Sequence, residues 1–154
     1  MNISPRHVSR GVQFGQALVK NGMIQRAKGV FDKALELSDS SLALQEEIAD
    51  FCVTEGVNDY AAKLMEVILD HQPNRDDIVF KLGETHEKLG NPAKALDYFS
   101  AAGKKDKDNV EIQLKIAKNY IDTGQMIRAE QILDLILNKD PEDTEAQELL
   151  KHSL

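Results

Sequence analysis

LGNPAKALDYF, residues 89–99, holds a stop, a start and a packing surface within eleven residues. Leu89-Gly90 reads as a helix end, because glycine enters the left-handed conformation that closes a helix without steric penalty. Asn91-Pro92 reads as an N-cap followed by a first-turn proline. Two helices therefore meet here with almost no loop between them. Outward from this stretch, glycines that follow a helical run fall at Gly22, Gly56, Gly90 and Gly124, each 34 residues from the last. Ala27, Ala61, Ala95 and Ala129 keep the same interval, as do the large apolar residues Phe31, Met65, Phe99 and Leu133. Ala34, Ile68, Ala102 and Ile136 follow. Upstream, Phe14, Ile48, Leu82 and Ile116 are each followed by a small residue: Gly15, Ala49, Gly83 and Ala117. Six columns in one register without an insertion mark a repeat array.

The pattern places four copies at 8–41, 42–75, 76–109 and 110–143, in a domain over 8–154 preceded by an extended segment or linker, 1–7. Every longer segment carries apolar residues at helical spacing and none sustains strand alternation, so the expected class is all-α. The small residue of each first helix is expected to lie against the small residue of the second, Gly83 against Ala95 in copy three. A larger side chain there would overpack the contact by roughly 1–3 kcal/mol. Phe99 then fills the space toward the adjacent hairpin, a burial worth about 1.5–3 kcal/mol. Ser40, Asn74 and Asp108 share the position ahead of three first helices and are expected to cap them, while Asn58 and Asn91 precede second helices.

Bulk composition limits the partners. The chain has 154 residues, 42% of them hydrophobic, and a net charge of −7. That is enough for one ordinary domain with a real core. An acidic balance argues against nucleic acid or an anionic membrane surface as the partner. The single cysteine, Cys52, forms no internal disulfide and suits a reducing, cytoplasmic setting. No segment has the apolar run of a signal peptide or a spanning helix.

The ordering of Leu-Gly, aromatic, Gly, Ala, Phe, Ala and Pro in a 34-residue unit resembles the tetratricopeptide repeat (TPR). Copy three carries it as Leu82-Gly83, Gly90, Ala95, Phe99 and Ala102, and copy four as Tyr120, Gly124, Ala129 and Pro141. The family's early tryptophan is replaced by Gly11, Gln45, Val79 and Gln113. The resemblance implies a right-handed α-solenoid of four helix-turn-helix repeats whose first helices line a concave groove that binds peptides or partner helices. It also implies no catalysis and no cofactor. Residues 144–154 restart a first helix, with Lys151 where the small contact residue falls, the pattern of a solvating cap helix. At the other end Arg10 occupies a column held by Leu44, Ile78 and Ile112, so the first hairpin shows no partner before it.

Groove positions carried over from the family are Ser9, Val12, Gln16 and Val19 in copy one, and Ala43, Glu46, Asp50 and Val53 in copy two. Copy three supplies Asp77, Phe80, Glu84 and Glu87, and copy four Glu111, Leu114, Lys118 and Ile121. Six of these are acidic and one is basic. The expected ligand is a protein segment with apolar and basic residues, held by exposed apolar anchors at Val12, Val19, Val53, Phe80, Leu114 and Ile121. TPR modules that grip chaperone C-terminal carboxylates place Lys and Asn where this chain has Val12 and Gln16. Glu46, Glu47 and Asp50 would repel such a tail, so that subclass is excluded. Two further readings remain: a self-assembly module stacking through its ends, giving a homo-oligomer, or the adaptor domain of a larger bacterial signalling or secretion protein.

Reactive chemistry has little support. His7, His71, His86 and His152 lack a second ligand at metal spacing, which leaves no metal set. His86 and Cys52 share a column with Leu18 and Tyr120 and read as packing residues. Ser38, Ser40 and Ser41 read as turn and cap residues, and the glycines are helix punctuation, not a phosphate loop.

Overall fold

The computed structural model describes residues 5–153, which form nine helices: α1 (Pro5–Lys20), α2 (Ile24–Leu37), α3 (Leu42–Thr54), α4 (Asn58–His71), α5 (Asp76–Lys88), α6 (Pro92–Lys105), α7 (Val110–Asp122), α8 (Met126–Lys139) and α9 (Thr144–Ser153). The class is all-α, with no strand among the described residues. Helices pair in succession, α1 with α2, α3 with α4, α5 with α6 and α7 with α8, and α9 packs on α8 and α7. The chain divides into two compact units at Asn74/Arg75, with α1–α4 in the first and α5–α9 in the second. Residues 5–7, expected to be extended, are the first turn of α1, where Pro5 suits a position whose N–H has no helical acceptor. Residues 1–4 and 154 lie outside the described residues.

The hairpin turns are the same in all four copies. Gly22, Gly56, Gly90 and Gly124 have φ of 75°, 78°, 71° and 75°. In copy three Gly90 N–H donates to Glu87 O at 3.0 Å and Asn91 N–H to His86 O at 2.9 Å. That pair of bonds satisfies two of the carbonyls that a helix end leaves open. The left-handed turn also reverses the chain quickly enough for Pro92 to begin α6.

Two sequence expectations need correction. The caps of the first helices sit one residue later than expected. Ser41 Oγ accepts from Leu44 N–H, Asn109 Oδ1 from Ile112 N–H and Asp143 Oδ1 from Ala146 N–H. The helices start at Leu42, Val110 and Thr144, and a capping oxygen must reach the N–H three residues on. Arg75, the copy-three member of this column, makes no side-chain cap. Nor does Asn91, and Asn58 is already the first residue of α4. The second correction concerns the small columns. A Cβ at Gly83 would meet Phe99 Cε1 at 2.6 Å and Cδ1 at 2.8 Å, so this glycine makes room for the Phe99 ring. Gly15 stands in the same relation to Phe31.

Within the second unit, Ala95, Phe99, Ala102, Ile112 and Ile116 form one buried cluster that ties α6 to α7. Leu114, Ala117, Leu133, Ile136 and Ala146 form another, which α9 closes. In the first unit, Phe31 stacks on Tyr60 with ring centroids 6.1 Å apart, and Tyr60 Oη donates to Asp32 at 2.7 Å. Lys28 adds an ion pair with Asp59. His86 is buried with its ring stacked 5.5 Å from Tyr98, and Cys52 is buried, so both occupy the packing column that the sequence assigns them.

Candidate functional site

A cleft of about 570 Å³ opens in the second unit between α5, the end of α6 and the start of α7. Helical spacing puts Asp77, Phe80 and Glu84 on one face of α5. The tight turn after α6 brings Asp106 and Glu111 across from them. Phe80 lies half-buried at the wall, its ring edge-on to Phe99 with centroids 5.4 Å apart. Around it stand Asp76, Asp77, Glu84, Asp106 and Glu111, against the two lysines Lys81 and Lys105.

These carboxylates differ in how far they are engaged. Asp76 is paired with Lys105. Asp77 receives Arg75 Nε at 2.9 Å and Nη2 at 2.6 Å, and those hydrogen bonds hold its carboxyl below the usual aspartate range despite some burial. Glu84 Oε1 lies 3.7 Å from Lys115 Nζ. Asp106 accepts from Asn109 Nδ2 at 3.2 Å, and both Asp106 and Glu111 are exposed. The rim therefore keeps surplus negative charge around an apolar ring.

Deeper between α5 and α7, Glu87 accepts from Lys115 Nζ at 2.8 Å, Asn119 Nδ2 at 2.9 Å and Lys118 Nζ at 3.3 Å. Burial alone would raise its pKa. The bonds from Lys115 and Asn119, with the charges of Lys115 and Lys118, outweigh that and hold it below the usual glutamate value. Lys115 is desolvated too, but its bond to Glu87 pushes its pKa up. Glu87 and Lys118 thus brace two helices.

In the first unit, a cleft of about 460 Å³ is lined by Ser9, Val12 and Gln16 of α1, Leu37 and Ser38 at the end of α2, and Leu44 and Glu47 of α3. Glu47 is the carboxylate in its lining. Of the remaining sequence-derived positions here, Glu46 and Val53 are half-buried and Asp50 is exposed. The expectation of exposed apolar anchors is corrected in both units. Val12, Val19 and Leu114 are buried at 4%, 7% and 7% exposure, and Val53, Phe80 and Ile121 are half-buried. Leu114 shows the reason, since it packs into the cluster that α9 closes. Asp77, Phe80, Glu84 and Glu111 are the expected positions that one cleft collects. Asp76, Lys105 and Asp106 were not anticipated, although the charge run KKDKD at 104–108 sits at this turn.

Among the described residues, no group of three His, Cys, Asp or Glu side chains is placed to hold a metal ion. No described helix is long and apolar enough to cross a membrane.

Residues 86–152 match the family model described as Tetratricopeptide repeat. No curated protein matches the chain. Solved structures share its fold. YrrB, described as a TPR protein with an unusual peptide-binding site, is 21% identical with a TM-score of 0.63 over 93% of this chain and 82% of that one. MamA AMB-1 is 14% identical with a TM-score of 0.71, covering 97% and 82%. A tetratricopeptide repeat protein from Parabacteroides merdae is 18% identical with a TM-score of 0.65, covering 97% and 59%.

Proposed function

From the premise that this chain has the fold of tetratricopeptide-repeat proteins, and that residues 86–152 match that family, we propose that it is a protein-interaction scaffold whose principal docking site is the acidic cleft of α5–α7. The fold is that of modules that bind proteins and are generally not enzymes. The reading divides residues 8–143 into four repeats closed by α9. The observation that carries it is the surplus of carboxylates around Phe80. Such a site favours an extended segment or helix turn that offers an apolar side chain to Phe80 and Lys or Arg to Asp106 and Glu111. Complementary charge would speed encounter and reject acidic segments more than it would add affinity. The peptide-binding site described for YrrB supports the use of this fold for peptides. A carboxylate tail is disfavoured, because Val12 is buried and Glu47 and Asp50 are exposed acids.

The test is calorimetric titration with two synthetic peptides of equal length and apolar content, one rich in lysine and one in glutamate. The cationic peptide should bind, and Asp106→Lys with Glu111→Lys should abolish its binding while circular dichroism stays unchanged. Equal binding of both peptides, or indifference to the substitutions, would reject the site.

A further inference from the structure

Repeat register singles out α1. The column Ile48, Leu82, Ile116 is buried, at 0%, 0% and 7% exposure, but its copy-one member, Phe14, is 52% exposed. The neighbouring column behaves alike: Ile78 and Ile112 are buried and Leu44 half-buried, while Arg10 is exposed. Thr85 and Asn119 are buried, while Ala17 is exposed. In the second unit, Ile112 and Ile116 of α7 are covered by Phe99 and Ala102 of α6. On α1 the equivalent stripe, Arg10, Phe14 and Ala17, has no such cover among the described residues.

Charge indicates what fits there. In a chain of net charge −7, α1 carries Arg6, Arg10 and Lys20 and no carboxylate. Residues 140–149, the turn before α9 and most of α9 itself, carry acids and no base, and Asp140, Glu142, Glu145 and Glu148 are all exposed. Glu145, Glu148 and the half-buried Leu149 share one face of α9, as Arg6, Arg10 and Phe14 share one face of α1. Both stripes run from two charges to an apolar residue in the same order. We propose that the open face of α1 receives the acidic α9 end of a second copy, head to tail, with Arg6 and Arg10 against Glu145 and Glu148 and with Phe14 against Leu149. A symmetric α1–α1 pair would oppose like charges. The contact uses neither wall of the acidic cleft, so it stands apart from the docking site proposed above.

Each copy then retains one free face of each kind, so association continues beyond a dimer into rings or filaments. Sedimentation equilibrium of the full chain over rising concentration is the test. The expected result is a mass that climbs past the dimer and falls back at ~1 M salt, where exposed charges are screened within about 3 Å. Arg10→Glu or Glu148→Lys alone should weaken association about tenfold or more, and the two together in one chain should restore it. Phe14→Ser should weaken it with helicity unchanged. A monomer at every concentration, growth that stops at a dimer, or a double variant no better than the single ones would overturn the proposal.

Discussion

Gly83→Ala tests the packing logic most directly. The new methyl group would lie 2.6 Å from Phe99 Cε1 and 2.8 Å from Cδ1 and Cζ, inside any real carbon–carbon contact. The ring has nowhere to go, since Phe99 is 0% exposed and packs with Ile112, Ile116 and the edge of Phe80. A helical glycine replaced by alanine gains about 1 kcal/mol from backbone propensity. Overpacking a full core costs about 1–3 kcal/mol. The net expectation is a loss of about 1 kcal/mol. Gly29 is the control: it lies within α2, is exposed, and has nothing within 4 Å of an added Cβ. Gly29→Ala should therefore gain close to the full ~1 kcal/mol. Urea unfolding followed by circular dichroism reads both, and the two substitutions should differ by about 2 kcal/mol with opposite signs. The cycle is closed with Phe99→Leu, which copies the Ala117 and Leu133 pairing of repeat four. Leucine alone leaves a void, and Gly83→Ala fills it, so the coupling should be about 1 kcal/mol or more in favour of the double variant. A Gly83→Ala protein as stable as the Gly29→Ala one, or an additive cycle, would refute the packing account.

Three other outcomes follow from the same structure. Gly90→Ala meets open space but requires an L side chain at φ 71°, so it should cost about 1–2 kcal/mol in the same unfolding assay, and Gly90→Asn less. Burial pushes the Cys52 thiol up to about 11, so a thiol reagent near neutral pH should leave the folded protein unlabelled and modify it as urea unfolds it. The depressed Glu87 carboxyl contributes stability that is complete above its usual value of 4.5 and is lost as pH falls through the lower folded value. Acid titration of Glu87→Gln should accordingly give a flatter stability profile below that pH than the parent, and Lys115→Met should lower the parent's stability above it.

The repeat was legible because its signals are local. A left-handed glycine, a first-turn proline and a 34-residue interval each act within a few residues of backbone, and none depends on what lies beyond the hairpin. The cap column was misplaced by one residue because Ser40 and Ser41, or Asp108 and Asn109, are equally good capping residues. Only the start of the helix decides between them, and Ser40 is instead a turn residue with φ 55°. Site positions were harder to read. Whether Val12 or Leu114 is an anchor or a core residue depends on neighbours: Val12 lines the meeting of α1 with α3, and Leu114 joins a cluster that includes Ala146. Glu87 has the composition of an open acid, and only the arrival of Lys115, Lys118 and Asn119 from the next repeat makes it a brace. Surface chemistry in a solenoid is set by the adjacent copy, which a column read by itself does not contain.

The corrected small column joins these levels. Copies one and three place glycine opposite phenylalanine, Gly15 with Phe31 and Gly83 with Phe99. Copies two and four place alanine in the column of Gly83, and Met65 and Leu133 in that of Phe99. A larger partner is matched by a smaller seat, which lets the shape of the filling side chain change from copy to copy. That exchange explains how the copies hold one register without insertions although few side chains recur. It also makes the copies unequal in what they present. Phe99, seated on Gly83, gives Phe80 an aromatic edge to rest on and leaves it half-buried at the wall of the acidic cleft. Copy four has Leu133 in that seat, and the position matching Phe80 is Leu114, buried beneath α9. The choice of glycine at 83 thus reaches, through one ring, to the apolar surface that a basic segment would meet.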